Sequence, residues 1–275
     1  MAFSRSLKSA AALADSGLIA PGDVPALQRV ADRYAVSLTP NVAAQIASGA
    51  EAIARQYIPD IRELDSTADE SADPIGDHVH APLPGIVHRY PDRVLLKIVH
   101  VCPVYCRFCF RRDMVGPQGD GTLSGEALEN ALAYIRAHRN IFEVIITGGD
   151  PFMLSARRVR ELMQAFSTIS HVRVIRWHTR VPVVDPARIT PAFLKALRTP
   201  GQAVFIAEAI LACAQLRDAG LSLISQSVLL RGINDSTEKL ADLMRAFLMA
   251  GIKPYYLHHP DLAPGTSHFR LPLDE

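Results

Sequence analysis

From Val94 onward the chain alternates between two periods. Short runs rich in β-branched and aromatic residues recur at Val94–Val99, Glu143–Thr147, Val172–Trp177, Ala203–Ala207, Leu221–Gln226 and Lys253–Leu257. Each has the length and composition of a strand. Between them apolar residues repeat at helical spacing: Leu128, Ala131, Leu132 and Ile135; Val159, Leu162, Met163 and Phe166; Leu240, Leu243, Met244 and Phe247. Each set is the i, i+3, i+4, i+7 stripe of a helix laid on an apolar surface. Asp235 and Glu238 supply an Asp-x-x-Glu capping signature before the last set. Repeated β-α units predict a parallel sheet with right-handed crossovers. Six strands of this kind predict an open, partial TIM-like (β/α)6 barrel, whose chemistry collects at the carboxyl ends of the strands.

Residues 1 to about 85 lack this alternation and read as an N-terminal helical extension. Helical patterns run over Asp23–Ala35 and Pro40–Tyr57, and the acidic, small-residue stretch Asp65–Asp77 reads as a loop or linker. The expected division is therefore an extension over 1–85 and a barrel over 86–275. At 49% hydrophobic and 21% charged, 275 residues can bury a substantial core. A net charge of +1 gives no electrostatic case for nucleic acid. No apolar run approaches the roughly 18 residues of a membrane span, and Ser9, Asp15 and Ser16 interrupt the N-terminal apolar residues where a signal peptide would need continuity. A cytoplasmic protein is expected.

Three of the four cysteines fall together. Cys102, Cys106 and Cys109 form a C-x3-C-x2-C run just after the first strand candidate. A cubane iron–sulfur cluster normally takes four cysteines; three leave one iron open to a group that is not protein. A structural zinc site is the alternative. It needs four closed ligands and could recruit His100, but zinc modules usually bring two spaced pairs, and the remaining cysteine, Cys213, lies far off on a helical segment. Four cysteines without a secretory signal also fit a reducing compartment rather than a disulfide framework.

Other chemistry-bearing residues sit at the ends of the later strands. Thr147-Gly148-Gly149-Asp150-Pro151 closes the second, where two glycines let a ligand approach the backbone and Asp150 can accept from a cationic amine. His178-Thr179-Arg180 ends the third, Gln226-Ser227 the fifth, and His258, His259 and Asp261 follow the sixth. Singly, a Gly-Gly-Asp-Pro turn or a strand-end histidine has an ordinary structural explanation. Their shared position at successive strand ends predicts one mouth.

On these residues the chain resembles the radical S-adenosylmethionine enzymes. Its wording is similar to that of the lysine 2,3-aminomutase family: His88-Arg89-Tyr90-Pro91-Asp92-Arg93-Val94-Leu95-Leu96, Tyr105-Cys106-Arg107-Phe108-Cys109-Phe110-Arg111-Arg112, Ser225-Gln226-Ser227-Val228-Leu229-Leu230-Arg231-Gly232, Pro254-Tyr255-Tyr256-Leu257 and His268-Phe269-Arg270. The resemblance runs from about Asp73 to Glu275. It implies a 4Fe-4S cluster on Cys102, Cys106 and Cys109, with S-adenosylmethionine chelated to the open iron and held by Gly148, Gly149, Asp150 and Gln226. It implies reductive cleavage to a 5'-deoxyadenosyl radical, hydrogen abstraction from lysine joined to pyridoxal 5'-phosphate, and migration of the amino group from carbon 2 to carbon 3. It implies that Arg89, Tyr90 and Arg93 form the pyridoxal phosphate pocket, that Arg111 grips the lysine carboxylate, and that Asp261 reads the ε-ammonium. An electron donor such as flavodoxin or ferredoxin, and a homo-oligomeric state, belong to the same expectation.

The chain departs from the family in two places. Relatives carry a His-x-Asn-His-Pro stretch after the fourth parallel strand, where here Ala207 runs into Glu208. They also continue past the equivalent of Glu275 into a segment with an Asp, a glycine-rich loop and the Schiff-base lysine. The expectation is that these residues are an incomplete record of a longer chain. The five lysines present, Lys8, Lys97, Lys195, Lys239 and Lys253, are read as structural or surface residues, although Lys97 and Lys253 lie in strands. Two other readings stand beside the aminomutase: supply of β-lysine for modification of an elongation factor, and a non-catalytic iron–sulfur protein that kept the fold.

Overall fold

Alternation of side chains along each strand divides this sheet into an apolar and a polar face. A computed structural model describes residues 3–116, 121–198, 202–207 and 213–272. The N-terminal part holds α1 (Ala10–Asp15), α2 (Val24–Arg33), α3 (Pro40–Ala47) and α4 (Glu51–Tyr57). Then follow β1 (Ile86–Tyr90), β2 (Arg93–Val99), α5 (Gly125–Ala137), β3 (Glu143–Gly148), α6 (Ala156–Ser167), β4 (Val174–His178), α7 (Val181–Val184), α8 (Pro191–Leu197), β5 (Ala203–Ala207), α9 (Cys213–Asp218), β6 (Ser222–Val228), α10 (Thr237–Met249) and β7 (Lys253–His258). The strands form one seven-stranded sheet in chain order, parallel from β2 to β7.

Val94, Leu96 and Ile98 of β2, Val144 and Ile146 of β3, Ile175 and Trp177 of β4, Ile206 of β5 and Leu223 of β6 join one buried cluster. Leu132 and Ile135 of α5, Leu162 and Phe166 of α6 and Phe247 of α10 complete it. With a period of two, the other face receives Arg93, Lys97, Glu143, Thr147, Arg176 and His178. The register agrees: Arg93 lies opposite Glu143, Lys97 opposite Thr147, and Ile145 opposite Arg176. Parallel sheets covered on both sides are normally apolar on both. The charged face, inner in that it lies opposite the helix-covered side, therefore points to something bound or hydrated against it.

The structure corrects several expectations. Among the described residues there are seven strands, because Ile86–Tyr90 forms an antiparallel edge whose Tyr90 pairs with Arg93 across Pro91-Asp92, a tight turn with proline at its favoured position. The helical pattern over Pro40–Tyr57 is two helices, parted at Gly49, which takes a φ of 93°. Ser236 rather than Asp235 caps α10, its side chain accepting from the Lys239 N–H; Asp235 is turned back onto the Gly232 N–H at 2.6 Å. The fourth-strand departure at Glu208 lies outside the described residues.

The N-terminal helices are packed against the rest of the chain. Leu7, Leu13, Val36, Leu38, Val42, Ala43 and Tyr57 share a buried cluster with Val104 and Val184, and Cys106 rests on its edge. The accessory region thus covers the cysteine loop. Among the described residues no helix is long and apolar enough to cross a membrane.

Candidate active site

The cysteine loop leaves β2 at Val99 and is held by backbone on both sides. The Cys109 N–H donates to the Cys106 carbonyl at 3.1 Å and the Arg112 N–H to the Cys109 carbonyl at 3.2 Å, so the last two cysteines sit on consecutive turns. From the N-terminal region, Ser37 donates its hydroxyl to the Pro103 carbonyl at 3.0 Å, and the Gln56 carbonyl accepts from the Arg107 N–H at 2.8 Å. Arg107, between two cysteines, is 1% exposed and reaches the fully buried Glu63 at 2.9, 3.1 and 2.5 Å. Arg112 pairs with the same carboxylate, donates to the carbonyls of Arg107 and Gly265, and lies 3.6 Å over the Tyr34 ring. Glu63 therefore ties two arginines of the cysteine loop to the N-terminal region.

Cys102, Cys106 and Cys109 are all half-buried. Burial, followed by the neighbouring Asp150, Cys109 and Cys106, pushes the Cys102 thiol well above its ordinary value. Three thiolates gathered this way repel one another and call for a polycationic partner. Among the described residues the thiols do not converge with other donors on one ion position. A cubane takes each cysteine on its own iron, and three half-buried thiols on one short loop are the donor set that such a cluster uses, so the residues present fit it.

The glycine pair after β3 packs directly on this loop. The Gly149 N–H donates to the Val99 carbonyl at 2.6 Å and the Asp150 N–H to the Val101 carbonyl at 2.9 Å. A Cβ on Gly148, whose φ is 119°, would overlap the Val99 carbonyl oxygen, and one on Gly149 would overlap the Val101 carbonyl oxygen. The close approach these glycines permit is thus made by the chain's own backbone. Asp150 also turns inward. Its carboxylate accepts from the Thr179 hydroxyl at 2.6 Å, the Arg180 N–H at 2.7 Å and the Phe152 N–H at 3.0 Å, which ties the end of β3 to the end of β4. Burial raises its pKa while these donors lower it. The structure places Asp150 as a clamp beneath the cysteine loop.

Arg111 links the loop to the inner sheet face. Two residues past Cys109, its guanidinium donates to Thr147 Oγ1 at 3.1 Å and to Asp77 Oδ2 at 3.3 Å, and it stacks 4.6 Å over Phe110. The same Asp77 oxygen lies 3.7 Å from Lys97 Nζ, and the other oxygen 3.9 Å from Arg89, whose guanidinium also donates to the Ile75 carbonyl. Burial holds the Lys97 ammonium below its ordinary pKa, opposed by Asp77. His178 is half-buried with its Nε2 out of contact with water, and its imidazole is pushed down to about 3 by burial and then by Arg176, Arg111 and His258. Asp261 is half-buried beyond β7; burial raises its pKa, and His258, Arg111 and His259 lower it.

The remaining expected residues are spread wider. Arg93 begins β2, six residues and roughly 20 Å of strand from Val99, where it pairs with Asp92 at 3.1 Å and Glu143 at 3.7 Å. Tyr90 is exposed, with Arg93 5.9 Å over its ring. Gln226 lies half-buried in β6, opposite Tyr256. The structure thus brings Cys102, Cys106, Cys109, Gly148, Gly149, Asp150 and Arg111 together, sets Arg89 with Asp77, and leaves Tyr90 and Arg93 at the far end of β2. Asp77, Lys97 and Glu63 were not identified from sequence. Asp77 ends the stretch that reads as a linker, and no spacing signal connects it to partners so far along the chain.

An α/β sheet with a three-thiol loop at one strand end defines an iron–sulfur protein. A family model for a 4Fe-4S single cluster domain matches residues 92–179. The chain is 37% identical over 235 residues to an L-lysine 2,3-aminomutase of Fusobacterium nucleatum, covering 81% of this chain and 55% of that one. An L-lysine 2,3-aminomutase of Acetoanaerobium sticklandii is 32% identical over 269 residues, 93% of this chain and 64% of its own. That of Escherichia coli is 35% identical over 235 residues, 79% and 68% respectively. The chain belongs to the lysine 2,3-aminomutase family. It spans 55 to 64% of the length of several of these relatives.

Proposed function

We propose that this protein is a radical S-adenosylmethionine isomerase of the amino-acid aminomutase type, acting on L-lysine to give β-lysine by 2,3-amino migration. The observation that carries the reading is Arg111: it leaves the cluster loop just after Cys109 and bonds Thr147 and Asp77 on the charged inner face. Radical generation and an anion-binding pocket are thereby neighbours. In this reading the parallel strands are a partial (β/α)6 barrel over 86–275, and residues 1–85 are a helical extension that braces the cysteine loop.

When bound, the cluster and S-adenosylmethionine supply a carbon-centred radical, and pyridoxal phosphate supplies the conjugated system for amino migration. Cys102, Cys106 and Cys109 hold the iron. Gly148 and Gly149 keep the backbone of β3 against that loop, and Asp150 fixes both to β4; Gln226 lines the same side of the sheet. Arg111 orients the substrate carboxylate by a guanidinium fork, and Asp261 takes the distal ammonium. Arg89 serves the phosphate-bearing cofactor, for which the cations gathered around Asp77 are the supporting observation; Tyr90 and Arg93 are assigned to the same cofactor on the family resemblance alone. A flavodoxin- or ferredoxin-type donor and a cytoplasmic setting complete the reading.

Anaerobic reconstitution followed by reduction tests it. The expected outcome is a cluster that cleaves S-adenosylmethionine and, with L-lysine, yields β-lysine by chiral amino-acid analysis. A colourless protein holding a single zinc ion would remove the radical reading; cleavage without β-lysine would remove the substrate. Arg111→Ala is expected to raise the lysine KM at least tenfold, from loss of a charge-assisted contact, while uncoupled S-adenosylmethionine cleavage persists.

A further inference from the structure

Asp77 carries more positive charge than it can balance. Its side chain is 3% exposed, and its Oδ2 serves both Arg111 and Lys97, whose side chains are 11% and 9% exposed. Arg89 approaches the other oxygen. As a counter-ion for Asp77, Arg111 alone would suffice. A second buried cation on the same oxygen adds a desolvation penalty without adding neutrality. Two further carboxylates act from farther off, Asp73 on Lys97 and Asp261 on Arg111, but among the described residues neither is within ion-pair distance of them, and Asp73 already accepts from the N–H groups of Asp77 and His78 at 2.7 and 2.8 Å. The buried Nε of Arg111 has no hydrogen-bond partner, and the Lys97 ammonium, with three N–H donors, stands 3.7 Å from Asp77 Oδ2.

We infer that Lys97 and Arg111 form a paired oxyanion subsite on the inner sheet face. It takes the carboxylate or phosphate of a small-molecule ligand, with Lys97 a specificity-determining residue and Asp77 the residue that sets the two cations side by side. The inference rests on the reading of this face as a ligand site. The family resemblance gives Arg111 a role and gives Lys97 none. An ammonium is a compact point charge that accepts carboxylate and phosphate alike, so the site's chemistry is defined before its source is.

Titration calorimetry of the anaerobic, cluster-loaded protein with inorganic phosphate, L-lysine and L-lysinamide separates the sources. Lys97→Met, which keeps the length of the side chain and removes the charge, is expected to weaken one oxyanion probe by about ten- to a hundredfold, with Lys97→Arg restoring part of the affinity. Loss confined to phosphate identifies a phosphoester site; loss of the preference for lysine over lysinamide identifies a carboxylate site. Reductive methylation of wild-type protein, read by peptide mass spectrometry, keeps the question answerable if Lys97→Met does not fold: Lys97 is expected to be protected by the same probe. Unchanged affinities in Lys97→Met, or in its absence unprotected Lys97, would overturn the inference. Phosphate bound through Lys97 without lysine binding would sustain the subsite and remove the lysine reading, whereas lysine binding indifferent to Lys97 would do the reverse.

Discussion

At the scale of single residues, the glycines after β3 are fixed by what lies behind them. Gly149 faces the Val101 backbone, which cannot rotate away as a side chain could. Gly149→Ala is expected to push the cysteine loop off β3 and to destabilise the protein by about 1–3 kcal/mol, as overpacking does. Chemical denaturation and iron per chain after reconstitution check both effects. The cysteines and Gly-Gly-Asp were readable from sequence because their identity and spacing are local. What they touch was not: Asp150 is spent on Thr179 and Arg180, at separations of 29 and 30 residues, and no periodicity encodes that pairing.

At the scale of elements, the cysteine loop is held in place by a single 3-10 turn, Ile61–Leu64, just ahead of the stretch that reads as a linker. Glu63 joins Arg107 and Arg112 across 44 and 49 residues, entirely out of water. Replacing one partner of such a network leaves uncompensated buried charge. Glu63→Gln is therefore expected to cost about 3–5 kcal/mol and to loosen Cys106 and Cys109, seen as lower denaturant midpoint together with faster loss of iron to a chelator. The parallel strands were readable because each carries its own β-branched run between turn signals. β1 escaped because Ile86–Tyr90 places His88, Arg89 and Tyr90 in a run with only two aliphatic residues. Its partner across the tight turn, not its composition, makes it a strand.

At the scale of the whole molecule, burying polar groups on one sheet face couples stability to pH. His178 is neutral in the fold, with an imidazole pushed to about 3 by burial and by Arg176, Arg111 and His258. The unfolded chain takes up that proton below about 6.5, so the fold is at full strength above that value and weakens as pH falls toward 3. Between pH 7.5 and 5 the loss from this group is about 2 kcal/mol. His88 and His268 are also held low, by burial first, so the comparison of wild type with His178→Leu in urea denaturation at the two pH values isolates the His178 share. If the variant loses as much as wild type, His178 is not the buried neutral group described here.

The sequence by itself determined the thiol count and the β-α alternation from β2 onward, since these depend on residue type at fixed local spacing. Only the tertiary structure decided which charges meet. Lys97 and Arg111 became a pair because strand register and the turn after Cys109 bring them to one oxygen of Asp77. Charge pairing is a matter of distance and burial, and both are properties of the folded chain.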